Sequence, residues 1–196
     1  MKRRPRARQG LILPGVRPTN RPAPLGRPGR GIKRSAACLK LPVMSETTCH
    51  VRPLACADRA AWGALWDLYL DFYGTTAPEG LPDLYFERLL GDDPRDYSCL
   101  VAETGGRLVG LTHFLFHRHG WKAEEVCYLQ DLYTLPDVRG AGIGRALIEG
   151  VYGAADAAGA PGVYWLTQAG NAQARQLYDR VAGVTDFIKY QRVLPS

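Results

Sequence analysis

The stretch from Leu129 to Gly150 places the strongest constraint on this chain. It reads as a strand over Leu129 to Leu135, a turn over Pro136 to Ala141 and a helix opening at Gly142. Arg139, Gly140, Gly142 and Gly144 sit at the junction. A helix start leaves four backbone N–H groups without intrahelical partners and carries partial positive charge. Glycine lets an anion approach such a backbone closely. Arg139 and Arg145 add fixed positive charge and donors suited to phosphate. The local chemistry therefore predicts a diphosphate cradle. Two familiar phosphate loops do not fit. A nucleotide P-loop closes with Gly-Lys-Ser/Thr, whereas Gly144 is followed by Arg145 and Ala146. A dinucleotide turn reads Gly-x-Gly-x-x-Gly, and Gly140, Gly142 and Gly144 are spaced differently. On the glycines alone, a tight turn that holds no ligand stays open.

Charge divides the chain in two. The net charge is +6, yet residues 1–43 hold 12 Lys/Arg and no Asp/Glu. The remainder carries 13 basic and 19 acidic side chains, a net −6. An acidic body does not suggest a nucleic-acid binder, but it can attract a cationic amine. The basic segment is rich in Arg, Pro and Gly, and it buries too little apolar surface to offset the entropy of ordering. It is expected to be a disordered extension. It can serve an anionic partner such as RNA, act as a targeting peptide, or lie upstream of a natural start at Met44. The last is favoured, because composition changes abruptly at Ser45-Glu46-Thr47. The folded domain is then 44–196, one domain of ordinary size. Five cysteines in no metal or Cys-x-x-Cys spacing read as free thiols of a cytoplasmic protein. No apolar run reaches membrane-spanning length.

Periodicity predicts the elements around the junction. His50 to Leu54 reads as a strand, and Asp58 as the N-cap of a helix. Trp62, Leu65, Trp66, Tyr69, Phe72 and Tyr73 then recur at helical spacing, a stripe expected to be core. A second helix starts at Pro82 and stops at Gly91. Asp67, Asp71, Asp83 and Glu87 on these helices read first as a solvated face. Tyr97 to Glu103 and Arg107 to His117 form two strands about a Gly105-Gly106 turn. His113, His117 and His119 are spaced to share one strand face, more as structural or substrate-side groups than as metal ligands. Glu125 to Leu135 is the central strand. The following helix carries Ile143, Leu147, Val151 and Ala155 on one stripe and stops at Gly159. Gly162 to Thr167 is the next strand, Asn171 to Ala182 the last helix, and Val184 to Val193 a final hairpin.

Arg139-x-x-Gly142-x-Gly144 between a strand and an amphipathic helix resembles the acetyl-coenzyme A motif of the GNAT superfamily of N-acetyltransferases. Asn171 and, seven residues on, Tyr178 resemble that family's second coenzyme contact and its catalytic tyrosine. Cys127-Tyr-Leu-Gln-Asp-Leu-Tyr and Thr185-Asp-Phe-Ile-Lys-Tyr-Gln-Arg are most similar to one branch. It holds the diamine acetyltransferases and the fungal-type histone, polyamine and D-amino-acid acetyltransferases.

The resemblance implies an α/β (α+β) fold: a mixed, mostly antiparallel sheet of six to seven strands, helices on both faces and a splayed central strand pair. It implies acetyl-CoA as cosubstrate, no metal, and a small-molecule amine, amino acid or polyamine-like, as acceptor. A homodimer exchanging C-terminal strands follows by the same analogy. Leu132, Tyr133 and Thr134 would pair with the pantetheine arm at a strand edge. The amides of Gly140, Ala141, Gly142, Ile143, Gly144 and Arg145, with Arg139, would hold the diphosphate, and Asn171 the arm from the other side. Tyr178 would be the general acid, since a phenol of pKa about 10 matches a thiol leaving group. Its periodicity alone favours a core tyrosine, and the resemblance reverses that reading. Gln130 and Asp131 would face the acceptor. Gln130 stands where diamine acetyltransferases carry a glutamate, and it cannot take a proton. Asp131 points to the opposite strand face, so Glu124, Glu125, a histidine or a water chain remain as bases. Cys127 is expected to be a buried apolar thiol rather than a nucleophile. A non-catalytic acyl-CoA-binding domain and a histone-tail acetyltransferase are the alternatives.

Overall fold

The computed structural model describes residues 48–192. The basic extension 1–43 and the proposed start at Met44 lie outside them. Five strands form one sheet in the order β1-β2-β3-β4-β5: β1 His50–Pro53, β2 Ser98–Thr104, β3 Arg107–Arg118, β4 Glu125–Thr134 and β5 Val163–Tyr164. The first three pairings are antiparallel and β4–β5 is parallel. Four α-helices accompany it: α1 Arg59–Phe72, α2 Leu81–Leu90, α3 Ile143–Ala157 and α4 Ala172–Val181. This is the mixed, mostly antiparallel α/β arrangement expected, with five strands among the described residues rather than six or seven.

Neighbouring residues of β3 show how helices cover both faces. His113 contacts the rings of Trp62 and Trp66 on α1, whereas Phe114 clusters with Ile148 and Val151 on α3. Adjacent side chains of a strand point to opposite faces, so α1 and α3 lie on opposite sides of the sheet. Trp62, at 0 % exposure, centres the α1 side against Phe86 of α2 and Tyr85. Asp58 occupies the N-cap position of α1, but its carboxylate does not cap the helix. It accepts instead from Arg52 at 2.7 Å and from the Ala55 N–H at 2.8 Å. Arg52 also bonds Glu103, and this ties β1, β2 and the start of α1 together. The Arg52 guanidinium, ahead of the Ala55 N–H, holds the Asp58 carboxyl below the usual carboxylate range.

Two expected strands are short or absent. β5 covers only Val163–Tyr164 of the Gly162–Thr167 run. Residues 184–192 form no strand, and Val184, Phe187, Ile188 and Tyr190 are exposed. Among the described residues a hairpin there has no neighbouring strand to complete, because their sheet ends at β5; an isolated hairpin is marginal in water. No helix among the described residues is long and apolar enough to cross a membrane.

β3 and β4 meet without room for a side chain at Gly110. A Cβ there would lie 2.8 Å from the Tyr133 carbonyl oxygen and 3.1 Å from Leu147. Gly110→Ala is expected to destabilise the protein by about 1–3 kcal/mol through overpacking. Urea denaturation measures this, and an unchanged midpoint would contradict the close approach.

Candidate active site

β4 carries a bulge. His113 pairs with Asp131 and Phe114 with Leu129, so Gln130 is the extra residue. The insertion breaks the alternation of a regular strand. Cys127 and Leu129 pack in the α3 cluster, whereas Asp131 bonds Tyr69 of α1. Thr112 Oγ1 fastens the turn by donating to the Asp131 carbonyl at 2.8 Å. Gln130 is left exposed.

β4 also leaves β5 early. The pair is joined only at Cys127↔Val163 and Tyr128↔Tyr164. Beyond that point β4 keeps β3 on one side, and its other edge opens into a cavity of about 440 Å³. That size suits a small-molecule site. Leu132, Tyr133 and Thr134 line it from β4. Arg139, Gly140, Gly142, Ile143, Gly144 and Arg145 line it from the loop and the start of α3, and Asn171 and Tyr178 from α4. Among the sequence-derived coenzyme contacts, Ala141 alone falls outside the lining, exposed on the loop.

The loop has the backbone its sequence suggests. Gly140 and Gly142 have φ of +86° and +83°, where a side chain is strained. The first bond of the α3 ladder runs from the Ala146 N–H to the Gly142 carbonyl, so the amides of Ile143, Gly144 and Arg145 precede it. Gly144 serves packing: a Cβ would sit 3.2 Å from Leu177 of α4. Arg145 pairs with Glu149 at 2.7 Å, and both are exposed. Such a pair contributes about 0.3–0.5 kcal/mol and yields easily to a diphosphate. Arg139 Nε donates to the Thr134 carbonyl at 3.3 Å.

Asn171 caps α4, its Oδ1 accepting from the Ala174 N–H at 3.3 Å while its Nδ2 donates to Thr167. Tyr178 is half-buried, edge-on to Trp165, and faces the cavity. Burial, and then the neighbouring Tyr73, push its phenol up to about 12.

The aromatic stripe of α1 splits along its length. Trp62, Leu65 and Trp66 are core, but Tyr69, Phe72 and Tyr73 line the cavity. The sequence expectation assigned all six to core. Helical spacing marks one face without saying where that face runs past the sheet. The three histidines also part company. His113 is fully buried, His117 bonds Tyr164 on the surface, and His119 lies beyond the end of β3. Asp131 does not line the cavity itself but bonds Tyr69, which does.

Residues 62–184 match the model of the acetyltransferase (GNAT) family. The chain belongs to that family. The D-amino-acid N-acetyltransferase HPA3 of Saccharomyces cerevisiae is 38% identical over 143 residues, 72% of this chain and 89% of the yeast protein. The thialysine N-epsilon-acetyltransferase of Bos taurus is 38% identical over 63 residues, 28% of this chain and 36% of that protein. An aminoglycoside N-acetyltransferase solved with CoA, AAC(6')-Iy, superposes with a TM-score of 0.67 at 17% identity, over 77% of this chain and 98% of its own. This GNAT chain is thus an acyltransferase that uses acetyl-CoA.

Cys127 is fully buried, and burial pushes its thiol up to about 11, which leaves little thiolate at neutral pH. Alkylation of the native protein is expected to label exposed Cys56 and to spare Cys127 and Cys99 until the chain unfolds. Peptide mass mapping checks this, and early labelling of Cys127 would reopen a covalent route.

Proposed function

We propose that the chain is an N-acetyltransferase that moves acetyl from acetyl-CoA to the primary amine of a small molecule, by direct attack in a ternary complex. The observation that carries this is the single cavity shared by the β4 edge, the glycine loop, Asn171 and Tyr178. Acetyl-CoA supplies the acetyl group as a thioester. The free edge of β4 at Leu132, Tyr133 and Thr134 offers backbone donors and acceptors to a pantetheine arm, as a sheet edge does to a peptide. One N–H of that edge serves as an oxyanion donor, worth about 3–4 kcal/mol in comparable sites. The amides at the start of α3, with Arg139 and Arg145, hold the diphosphate. Asn171 bonds the arm opposite β4. Tyr178 delivers a proton to the departing sulfur. No metal is needed for this scheme.

An amino acid or polyamine-like amine is the acceptor class. The yeast relative's name supports an amino acid, and the acidic body supports a cation. Gln130, exposed and outside the cavity, cannot supply the base that a glutamate there would. The free thiols of the described cysteines fit a cytoplasmic protein. The folded domain has no nucleic-acid role in this reading.

The experiment is thiol release from acetyl-CoA with D- and L-amino acids, polyamines and histone-tail peptides. Turnover with a small amine is expected. Coenzyme binding without any thiol release would make the protein a non-catalytic acyl-CoA-binding domain instead. Tyr178→Phe is expected to lower kcat roughly 100-fold, the ordinary scale of general acid catalysis, while coenzyme affinity stays within about twofold. The pH profile follows from the raised phenol. The acid form works below its pKa, so a loss of activity from Tyr178 ionisation begins only as pH nears about 12. A descending limb centred below pH 10 would remove Tyr178 from that role.

The chain pairs as a homodimer in this reading. Val184, Phe187, Ile188 and Tyr190 are exposed on a segment without strand partners, and β5 is an open sheet edge. A second copy supplies the missing neighbour by strand exchange. Light scattering is expected to give twice the chain mass, and Phe187→Asp with Ile188→Asp to give a monomer. A wild-type monomer at micromolar concentration would sink the dimer.

A further inference from the structure

The proposed scheme has a proton donor on the cavity wall in Tyr178, and the acceptor amine also needs a proton acceptor. Four side chains run in series from the core to that wall. Trp62 Nε1 donates to His113 Nε2 at 3.0 Å. An indole nitrogen is a donor only, so His113 Nε2 is an acceptor and the imidazole proton sits on Nδ1. Nδ1 then donates to Asp131 Oδ2 at 2.9 Å. Tyr69 Oη donates to Asp131 Oδ1 at 2.5 Å. Both carboxylate oxygens are occupied, and the outer end of the series is a phenol on the cavity wall.

Asp131 is 3 % exposed, and no Lys or Arg pairs with it among the described residues. The groups that face it are Tyr69 of α1, Tyr85 of α2, Tyr97 ahead of β2, Cys99 of β2, His113 of β3 and Tyr128 of β4. Burial first, and then the Asp131 charge, push the phenols of Tyr69, Tyr85 and Tyr97 up. Those phenols stay protonated, so hydrogen-bonding dipoles hold the Asp131 side chain without a Lys or Arg among the described residues.

We propose that Tyr69 receives a proton from the acceptor's ammonium group and passes its own to Asp131, with His113 and Trp62 holding the carboxylate in place. This rests on the acetyl-transfer reading above and names the base that reading lacks. One N–H bond of the ammonium breaks as an Oη–H bond forms on Tyr69. The original Oη–H bond breaks as an O–H bond forms on Asp131 Oδ1, and the nitrogen lone pair becomes free to attack. The hand-off is concerted, because a buried phenol of this kind does not ionise by itself. In water an ammonium does not protonate a carboxylate. In a closed site both charges lose hydration, and the neutral amine with the neutral acid gains relative to the ion pair. The proton returns to solvent by the same route once the amide has left. Tyr69 touches the amine and is the catalytic group; Asp131 acts through it and is a positioning residue that also stores the proton. The acceptor class is therefore a cationic primary amine, whose ammonium group sits against Tyr69 with Tyr73 and Phe72 beside it.

The test compares the full wild-type chain with Tyr69→Phe and Asp131→Asn. Tyr69→Phe is expected to lower kcat/KM at neutral pH roughly 100-fold. Its kcat/KM then climbs tenfold per pH unit until the amine's own pKa, whereas the wild type levels off earlier. Coenzyme A affinity by calorimetry stays within about twofold, which a collapsed site would not allow. Should Asp131→Asn fail to fold, Tyr69→Phe alone decides, since it keeps the ring and removes only the hydroxyl. A second readout needs no turnover: in ligand-free protein, nitrogen-15 NMR is expected to show the His113 ring proton on Nδ1, with Nε2 as the acceptor from Trp62. An imidazolium or the Nε2–H tautomer would overturn the wiring. A wild-type chain that releases no thiol overturns both readings. A wild type that turns over beside an equally active Tyr69→Phe overturns the relay alone.

Discussion

The extra residue in β4 governs everything built around it. Without Gln130 as a bulge, residues 127, 129, 131 and 133 would share one face of the sheet. With it, Cys127 and Leu129 fill the α3 side while Asp131 meets Tyr69 and His113 on the α1 side. The same bulge bends the strand and raises its local twist. β4 then separates from β5 just past Tyr128. One inserted residue therefore accounts for two properties, an unpaired strand edge facing a cavity and a carboxylate carried beneath its wall.

The cavity has firm walls because the elements around it touch elsewhere. Gly144 brings α3 against Leu177 of α4, and a methyl group there would crowd the contact. Tyr152 Oη donates to the Val181 carbonyl at 3.0 Å and binds the far ends of the same two helices. Tyr69 stands edge-on to Tyr133, and Tyr73 edge-on to Tyr69. Side chains locked by such packing hold their positions far better than loops do, which is what a site with geometric demands requires.

The backbone turn at the glycine loop and the cap at Asn171 were legible in the sequence, whereas the proposed roles of Asn171 and Tyr178 came from the family resemblance and not from periodicity. Positive φ at Gly140 and Gly142, and an N-cap at Asn171, are local events. Strands β2 to β4 were legible for a similar reason, since alternation is a local signal. The cavity role of Tyr69, Phe72 and Tyr73 was not legible. It depends on where α1 outruns the sheet, and periodicity is blind to that. His113 was expected to be a structural or substrate-side group, and it is buried between Trp62 and Asp131; those two partners, far off in sequence, were not legible. A terminal hairpin was expected, but a strand needs a partner, and among the described residues none lies beyond β5.

The Trp62–His113–Asp131–Tyr69 series is hard to explain by stability. A buried carboxylate held by hydrogen bonds, with no cation, gives up hydration that its partners only partly replace. An apolar set of similar volume would pack the same space, and such exchanges are often neutral or stabilising by about 1–4 kcal/mol. Removing a single partner is the damaging change, because it leaves the rest buried and unsatisfied. The sheet already has Val101, Val109 and Leu111 to close its core around these residues. What the polar set provides that an apolar one cannot is a carboxyl group connected, through one phenol, to the cavity where the proposed reaction needs a proton acceptor.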